Sequence, residues 1–356
     1  MVHFLNITPP NIVPMKILAI DVGVGTQDIM LYNSKYNIEN STKMVLPSPT
    51  KILANKIRKT KQNLFLTGNT MGGGPITFAI KEHLKKGYKI TMTPEAARTI
   101  KDNLQKVKKI GIKISEENPH NWKTIKLADI NIKALKTALS NLNIKLEFDH
   151  LAIAVQDHGY SPKMGDRDFR FHKIKEKLKK PTPPEEFAYQ NKIPEYFTRM
   201  KSIKKSLKKY NPLLMDSKFA AITGALQDPK IIEHDKLVVL DVGNGHTLAA
   251  TIKRGKIMGL MEHHTKMLNP DKIEKFIKKL VNGTLTHSHV HEDGGHGAHI
   301  IEAIKTYEKI VVTGPQRRLV DKTNLPAYHA APAGDVMMTG PVGLIKSVIY
   351  HRGEHP

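Results

Sequence analysis

The sequence predicts an α/β protein made of two related lobes that share one cleft. Three observations predict it. A strand–turn–strand unit occurs twice: ILAIDVGVGTQDIML (17–31) lies over LVVLDVGNGHTLAAT (237–251) without a gap, so Asp21 falls on Asp241, Val22 on Val242, Gly23 on Gly243 and Gly25 on Gly245. Each copy opens one half of a 356-residue chain, a length that suits two domains better than one small core. Around both copies, short apolar strands alternate with segments bearing helix start and stop signals.

In chain order, KILAIDV (16–22) and QDIMLYN (27–33) read as strands joined by a glycine turn. The strand LFLT (64–67) runs into GNTMGGGP, and Pro75 suits the first turn of a helix that ends near Gly87. YKITMT is a short strand. Thr93 caps a helix from Pro94 whose apolar positions are Ala97, Ile100 and Leu104. A helix near 131–142 precedes the buried strand HLAIAVQ (150–156). Residues 160–211, with PTPP, many lysines and a helix from Pro194, read as an insertion with a basic outer face. The small residues of DSKFAAITGAL (216–226) permit a close helix crossing. The second hairpin follows (236–242 and 246–252), then a helix from Pro270 stopping at Asn282-Gly283, a histidine-rich loop (287–299), a helix at about 298–307, the strand KIVVTG (309–314) and a final helix capped by Asp335. The expected division is a first lobe 1–215 carrying the insertion, a second lobe 216–333, and a closing segment 334–356 that returns to the first lobe.

Composition narrows the chemistry. The chain is 40% hydrophobic and 25% charged, as in soluble globular proteins. No apolar run approaches the ~18–20 residues of a membrane span, and MVHFLNITPPNIVP lacks the basic start of a signal peptide, so a cytoplasmic protein with no membrane partner is expected. With no cysteine, disulfides, thiolate metal sites, iron–sulfur clusters and cysteine nucleophiles are excluded. The net charge of +23, concentrated in the first 210 residues, suits anionic partners: nucleotides, phosphorylated metabolites, nucleic acid or an acidic protein. An aromatic content of 6% speaks against a base-stacking platform for nucleic acid.

Glycine turns at strand ends let backbone N–H groups approach phosphate oxygens, and an aspartate there can hold hydrated Mg2+. The candidates for phosphate are Gly23, Val24, Gly25 and Thr26 in one turn and Gly243, Asn244, Gly245, His246 and Thr247 in the other. Asp21 and Asp241 are the candidates for Mg2+, with turn capping as the alternative role.

In these motifs the chain resembles the actin, sugar kinase and heat-shock-chaperone ATPase superfamily. DVGVGTQD (21–28) and DVGNGHT (241–247) look like its two phosphate motifs, and MDSKFAAITGAL (215–226) like its connecting helix. IVVTGPQRR (310–318) looks like its adenosine motif, and GDVMMTGPVGLIKSVI (334–349) like its closing helix. The resemblance implies two ribonuclease-H-like lobes with Mg2+ and ATP or ADP between them, and Thr313 and Gly314 beside the nucleoside. Leu248, where many relatives carry an aspartate, and Gly314-Pro315, in place of a glycine pair, depart from the pattern. Within the superfamily, TGNTMGGGP (67–75), AVQDHG (154–159) and GDVMMTGPVGL (334–344) resemble a prokaryotic family labelled for pyruvate formate-lyase activation. Such activators use three cysteines for an iron–sulfur cluster, so the label does not describe this chain's chemistry.

Asp216 is a candidate to orient or deprotonate an attacking oxygen, or else the N-cap of its helix. Gln156 and Asp157, ending a buried strand, could position water or form a turn. Gly72, Gly73 and Gly74 lead into a helix N-terminus and could contact substrate or phosphate, or simply pack. In an extended backbone His287, His289 and His291 share a face near His296, which could bind a transition metal or form a solvated loop or lid. Three functions follow: phosphoryl transfer or ATP hydrolysis, with an unidentified small-molecule or protein acceptor; a slow nucleotide-dependent regulator gripping a macromolecule through its basic first lobe; and a metal-dependent hydrolase at the histidines.

Overall fold

The computed structural model describes residues 14–353; the run MVHFLNITPPNIV, read above for a leader, lies outside them. β1 (Lys16–Val22), β2 (Thr26–Asn33) and β3 (Thr42–Pro47) form an antiparallel meander. After α1 (Pro49–Lys59) the chain builds a separate parallel sheet from β4 (Leu64–Gly68), β5 (Ile90–Met92), β6 (Lys113–Ile114) and β7 (Lys123–Leu127), in the order β6-β5-β4-β7. The helices along this stretch are α2 (Gly74–Lys85), α3 (Pro94–Ala97) and α4 (Leu104–Lys108). Ala54 and Ile57 of α1 and Ile76, Ala79 and Ile80 of α2 share its core with Leu64 and Leu66.

Beyond α5 (Ile132–Ser140), β8 (His150–Val155) returns to lie parallel to β1. α6 (Asp166–Lys177), β9 (Ala188–Tyr189), α7 (Thr198–Ser206) and β10 (Leu213–Met215) complete a six-stranded sheet ordered β3-β2-β1-β8-β10-β9. α8 (Ser217–Ala225) then leads to the second meander, β11 (Lys236–Val242), β12 (His246–Lys253) and β13 (Lys256–His264). α9 (Pro270–Asn282), α10 (His287–His291), β14 (Gly297–Ile300), β15 (Lys309–Thr313), β16 (Ala327–His329) and α11 (Thr339–His351) finish the chain. The second sheet runs β14-β13-β12-β11-β15-β16. Each sheet is thus a meander whose first strand takes parallel partners on its other side. This is the ribonuclease-H-like order that the superfamily resemblance implies, present twice, as the duplicated hairpin implies.

Period-two alternation decides what each strand face meets. Leu18 and Ile20 pack outward with Leu135 of α5 and Met200 and Ile203 of α7. Ile17 and Ala19 pack inward in one core with Phe219 and Ile222 of α8 and Leu344 and Val348 of α11. Leu237 and Val239 of β11 reach the same core from the other sheet, while Val238 and Leu240 join Ile273, Phe276 and Ile277 of α9. By the same parity Asp21 and Asp241, two residues beyond Ala19 and Val239, fall on the interlobe side.

The α8–α11 pair lies between the sheets and crosses closely. A Cβ on Gly224 would stand 1.8 Å from the Thr339 carbonyl oxygen, and one on Gly343 1.9 Å from that of Ala220. The small residues read in 216–226 serve this crossing.

Three local expectations are corrected. The helix at about 298–307 is absent; residues 297–300 form β14, because their backbone completes the edge of β13. The helix from Pro94 stops at Ala97, and a new one starts at Leu104 behind an Asn103 cap. The histidine run is helical over His287–His291 rather than extended. Among the described residues no helix is long and apolar enough to cross a membrane.

Candidate functional site

The two glycine turns close in the same way. Gly23 N–H donates to the Thr26 carbonyl at 2.9 Å, and Gly243 N–H to the His246 carbonyl at 3.0 Å. Both open onto one interlobe cavity of about 1000 Å³, part of it open to solvent, lined also by Asp21, Lys218, Thr313, Gly314 and Gly340. Gly25 does not line it; its carbonyl accepts from Ser48 N–H at 3.2 Å, and a Cβ there would stand 2.3 Å from Asn244 Nδ2. Close approach of the two turns accounts for that glycine.

The floor of the cavity gathers carboxylates. Asp21 pairs in register with Asp28 across the first hairpin. Oδ1 of each is buried without a hydrogen-bond partner. Burial, then the nearby Asp28, holds Asp21 well above the usual carboxylate range, and burial lifts Asp28 to about 7. Two buried carboxylates side by side, each with an unpartnered oxygen, form a set that fits Mg2+, with Asp21 and Asp28 as the residues to hold it. Asp241 differs. Lys218 Nζ donates to its Oδ2 at 2.6 Å, and both side chains are buried. Burial still raises Asp241 against the pull of Lys218. Both candidate aspartates line the cavity, Asp241 beside a lysine and Asp21 beside a second carboxylate.

Several other candidates are committed elsewhere. Asp216 caps α8 by accepting from Lys218 N–H at 3.0 Å, and both its oxygens take Arg170, at 2.7 and 3.2 Å. Its carboxylate is therefore a structural anchor and not a free base. Asp157 accepts from the N–H groups of Gly159 at 2.9 Å and Met200 at 3.0 Å, and burial lifts it to about 6. Gln156 Nε2 donates to Glu262 Oε1 at 3.1 Å. Thr247 turns away from the cavity: its buried hydroxyl meets that of Thr265 at 3.0 Å, and Thr265 in turn donates to the Gly243 carbonyl. Thr313 does line the cavity, with its hydroxyl 2.9 Å from that of Thr339.

A second cavity, of about 1230 Å³ including open space, adjoins the first and shares Val24, Gly72, Gln156, Arg199 and His246 with it. Gly72, Gly73 and Gly74 line it where α2 begins. Gly73 is also a packing glycine, since a Cβ there would meet the Thr99 carbonyl oxygen at 1.9 Å. Arg98, Lys101 and Arg167 supply positive charge around it, and Arg199 is fixed bidentately by Asp129 at 2.7 Å. Beneath the wall, Arg170 of α6 ties two distant elements: it donates to Asp216 at the cap of α8 and to Glu262 Oε2 of β13, the latter at 2.7 Å. Burial alone would raise Glu262, but Arg170 outweighs it and holds this carboxyl well below its usual range.

The histidines divide into two groups. On α10, His289 Nδ1 accepts from Thr286 N–H at 3.2 Å, closing a capping box. His291 meets Asp168 at 2.6 Å, and His287 stacks on His291. His287 and His291, one turn apart, share a face, while His289 folds back on its own N-cap, so the three do not bring their ring nitrogens to one point. His296 instead lies in the second cavity with His158 and His246, the ligating nitrogens all within 4.8 Å of one another. Burial draws His246 down to about 3 and His296 to about 4, so both imidazoles are neutral at pH 7.

Lys218, Arg170, Arg199, Glu262 and His158 were not singled out from sequence. Each is a common residue in an ordinary setting whose partner lies far along the chain; Arg170 and Glu262 are 92 positions apart. The one available signal was that His158 and His246 stand beside motifs already noted.

Fold and cleft define a two-lobed α/β protein with paired ribonuclease-H-like sheets. The chain belongs to the family described as "Putative pyruvate format-lyase activating enzyme (DUF1786)", which matches residues 71–319. No curated protein matches it in sequence. Similar solved structures include the ethanolamine utilization protein EutJ from Carboxydothermus hydrogenoformans, 11% identical over 95% of this chain and 90% of that one, with a TM-score of 0.35. The ROK hexokinase from Thermus thermophilus is 10% identical over 96% and 100%, TM-score 0.32. MreB 5 of Spiroplasma citri bound to AMPPNP is 10% identical over 96% and 98%, TM-score 0.34.

Proposed function

We propose that this protein binds a Mg-nucleotide, ATP or ADP, in the interlobe cavity and transfers its terminal phosphoryl group to a small anionic acceptor in the adjoining cavity. One observation carries the reading: two copies of the same glycine turn, one from each lobe, open onto a single cavity that holds unpartnered carboxylates and a buried lysine. The backbone of Gly23, Val24 and Thr26 and of residues 243–246 cradles phosphate oxygens, and Lys218, set against Gly243, adds positive charge beneath the second turn. Asp21, with Asp28 beside it, holds Mg2+, which neutralises charge on the transferred group. Thr313 and Gly314 border the nucleoside. Gln156 and Arg199, common to both cavities, position the acceptor against the phosphate end, and Arg98, Lys101 and Arg167 attract its negative charge. With Asp216 tied to Arg170, catalysis rests on positioning and charge neutralisation rather than a carboxylate base.

Calorimetric titration of Mg-ATP and Mg-ADP into wild type and Asp21→Asn tests this. Saturable binding that requires Mg2+ and weakens at least ~10-fold in the variant is expected. A folded wild type that binds neither nucleotide would overturn the reading.

A further inference from the structure

The wall between the two cavities carries a feature that the nucleotide reading does not use. His158 follows β8 in the first lobe; His246 opens β12, and His296 precedes β14, in the second. Three imidazoles thus reach one point from three elements and from both lobes. Their ring centroids stand 5.0–5.4 Å apart, and one nitrogen from each lies within 4.8 Å of the others. His296 is only 1% exposed, yet neither of its ring nitrogens has a hydrogen-bond partner, and Nε2 of His246 is buried without one too. Buried polar nitrogens left unpaired in this way are costly unless something binds them.

We propose that His158, His246 and His296 form a three-imidazole site for a zinc-class divalent transition metal, set between the two lobes. Imidazole suits such ions, and three protein ligands with one position left open is the arrangement of zinc sites that also take water or substrate. Bonds of about 2.0–2.1 Å in a tetrahedron place ligand nitrogens about 3.3 Å apart, so the rings draw in by roughly an ångström on binding. Glu262 supplies the outer carboxylate: its Oε2 stands 3.7 Å from His296 Nδ1, and Arg170 and Gln156 hold it in place. The open position gives onto the second cavity, which all three histidines line. Because the ligands come from both lobes, the bound ion fastens the closed cleft. His287, His289 and His291 have no part in the site.

The test uses the full chain with any affinity tag removed, stripped with chelator and titrated with Zn2+, and in parallel with Co2+, without nucleotide. One ion per chain is expected by elemental analysis, together with the visible absorption of tetrahedral Co2+. His158→Asn and His296→Asn should each weaken binding at least tenfold, while His289→Ala binds as wild type does. His158 is only half-buried, so its variant carries the test if His296→Asn fails to fold. No stoichiometric ion on folded wild type, an ion retained by the variants, or equal loss in His289→Ala would each overturn the site. Neither His158 nor His296 lines the nucleotide cavity, so nucleotide affinity measured on the same samples keeps this outcome separate from that of the phosphoryl-transfer reading.

Discussion

Asp21 and Asp241 end equivalent strands, face the same interlobe layer and precede turns closed by the same hydrogen bond, and burial raises both carboxyls, yet their immediate partners differ. Asp241 has a lysine at 2.6 Å and pairs in register with Leu248. Asp21 pairs with a second carboxylate, Asp28, and its Oδ1 is left without a partner. Duplication has kept the backbone and divided the charge. The second turn carries its own paired cation; the first sets two carboxylates side by side, which is the setting the proposed Mg2+ would match. A motif match alone would give both aspartates one role, and the surroundings give them two.

Making the same change at both turns tests that division. Asp241→Asn leaves Lys218 buried and uncompensated, which costs about 3–5 kcal/mol. Asp21→Asn removes a repelled, desolvated carboxylate, so the metal-free protein should be at least as stable as wild type. Urea unfolding in EDTA reads both. Equal losses at the two sites would show that Lys218 and Asp241 are not a specific pair. If the pairing is real, Lys218→Met combined with Asp241→Asn should recover much of what either single change loses.

A smaller contrast lies in the glycine set against each aspartate. A Cβ on Gly314 would stand 2.5 Å from both Asp241 Oδ1 and the Val242 carbonyl oxygen, at a φ of +93°, so Gly314→Ala is expected to cost about 2–3 kcal/mol. On Gly340, in the first turn of α11, the Cβ would stand 2.1 Å from Asp21 Oδ2. Asp21 Cγ and Cβ would also stand at 2.8 and 2.9 Å, and a Cβ fixed to β1 cannot swing aside, so Gly340→Ala should likewise cost about 2–3 kcal/mol in stability, but it alone displaces Asp21 and should weaken Mg-dependent nucleotide binding several-fold. Thermal unfolding and calorimetry on the two variants separate these outcomes. Unchanged nucleotide affinity in Gly340→Ala would mean that the position of Asp21 is not critical.

What could be read in advance follows from the range of the forces involved. The two hairpins and the close helix crossing were legible, because alternation, glycine turns and small-residue faces are local patterns; the ribonuclease-H-like order came from the family resemblance those motifs carry. The parallel sheet β4–β7 was seen only in pieces: two of its four strands, Ile90–Met92 and Lys113–Ile114, are three and two residues long and leave little pattern. The candidate site was half legible. Both turns and Asp21 reach the cavity, but Asp216 is tied by an arginine 46 positions away and Thr247 by a threonine just past the end of β13. The lysines of 160–211 suggested a basic outer face. That segment also sends Arg170 and Arg199 inward, and nothing local marks which cations turn in. The histidine run drew notice by composition, whereas the three histidines that converge are spread over 138 positions and meet only in the fold.

The smallest expected effect concerns the residue that separates the hairpins most simply, Asp28 against Leu248. Burial raises Asp28 from an ordinary value of 3.8 to about 7. Between about pH 4 and pH 7 the folded protein therefore keeps a proton that the unfolded chain releases. This group's contribution to stability is unaffected below that window, falls as pH rises through it, and is flat above. Asp28→Asn has no such proton to lose, so in EDTA it should match wild type near pH 4 and exceed it by about 1–2 kcal/mol at pH 8, short of the ~4 kcal/mol that a full three-unit shift would represent. Saturating Mg-nucleotide should reverse the order at pH 8, because the charge that destabilises the empty cleft is then matched by the cation. Parallel pH profiles for the two proteins in EDTA would mean that Asp28 is already neutralised by its surroundings, and that the charge contrast between the hairpins rests on Asp21 and Lys218 alone.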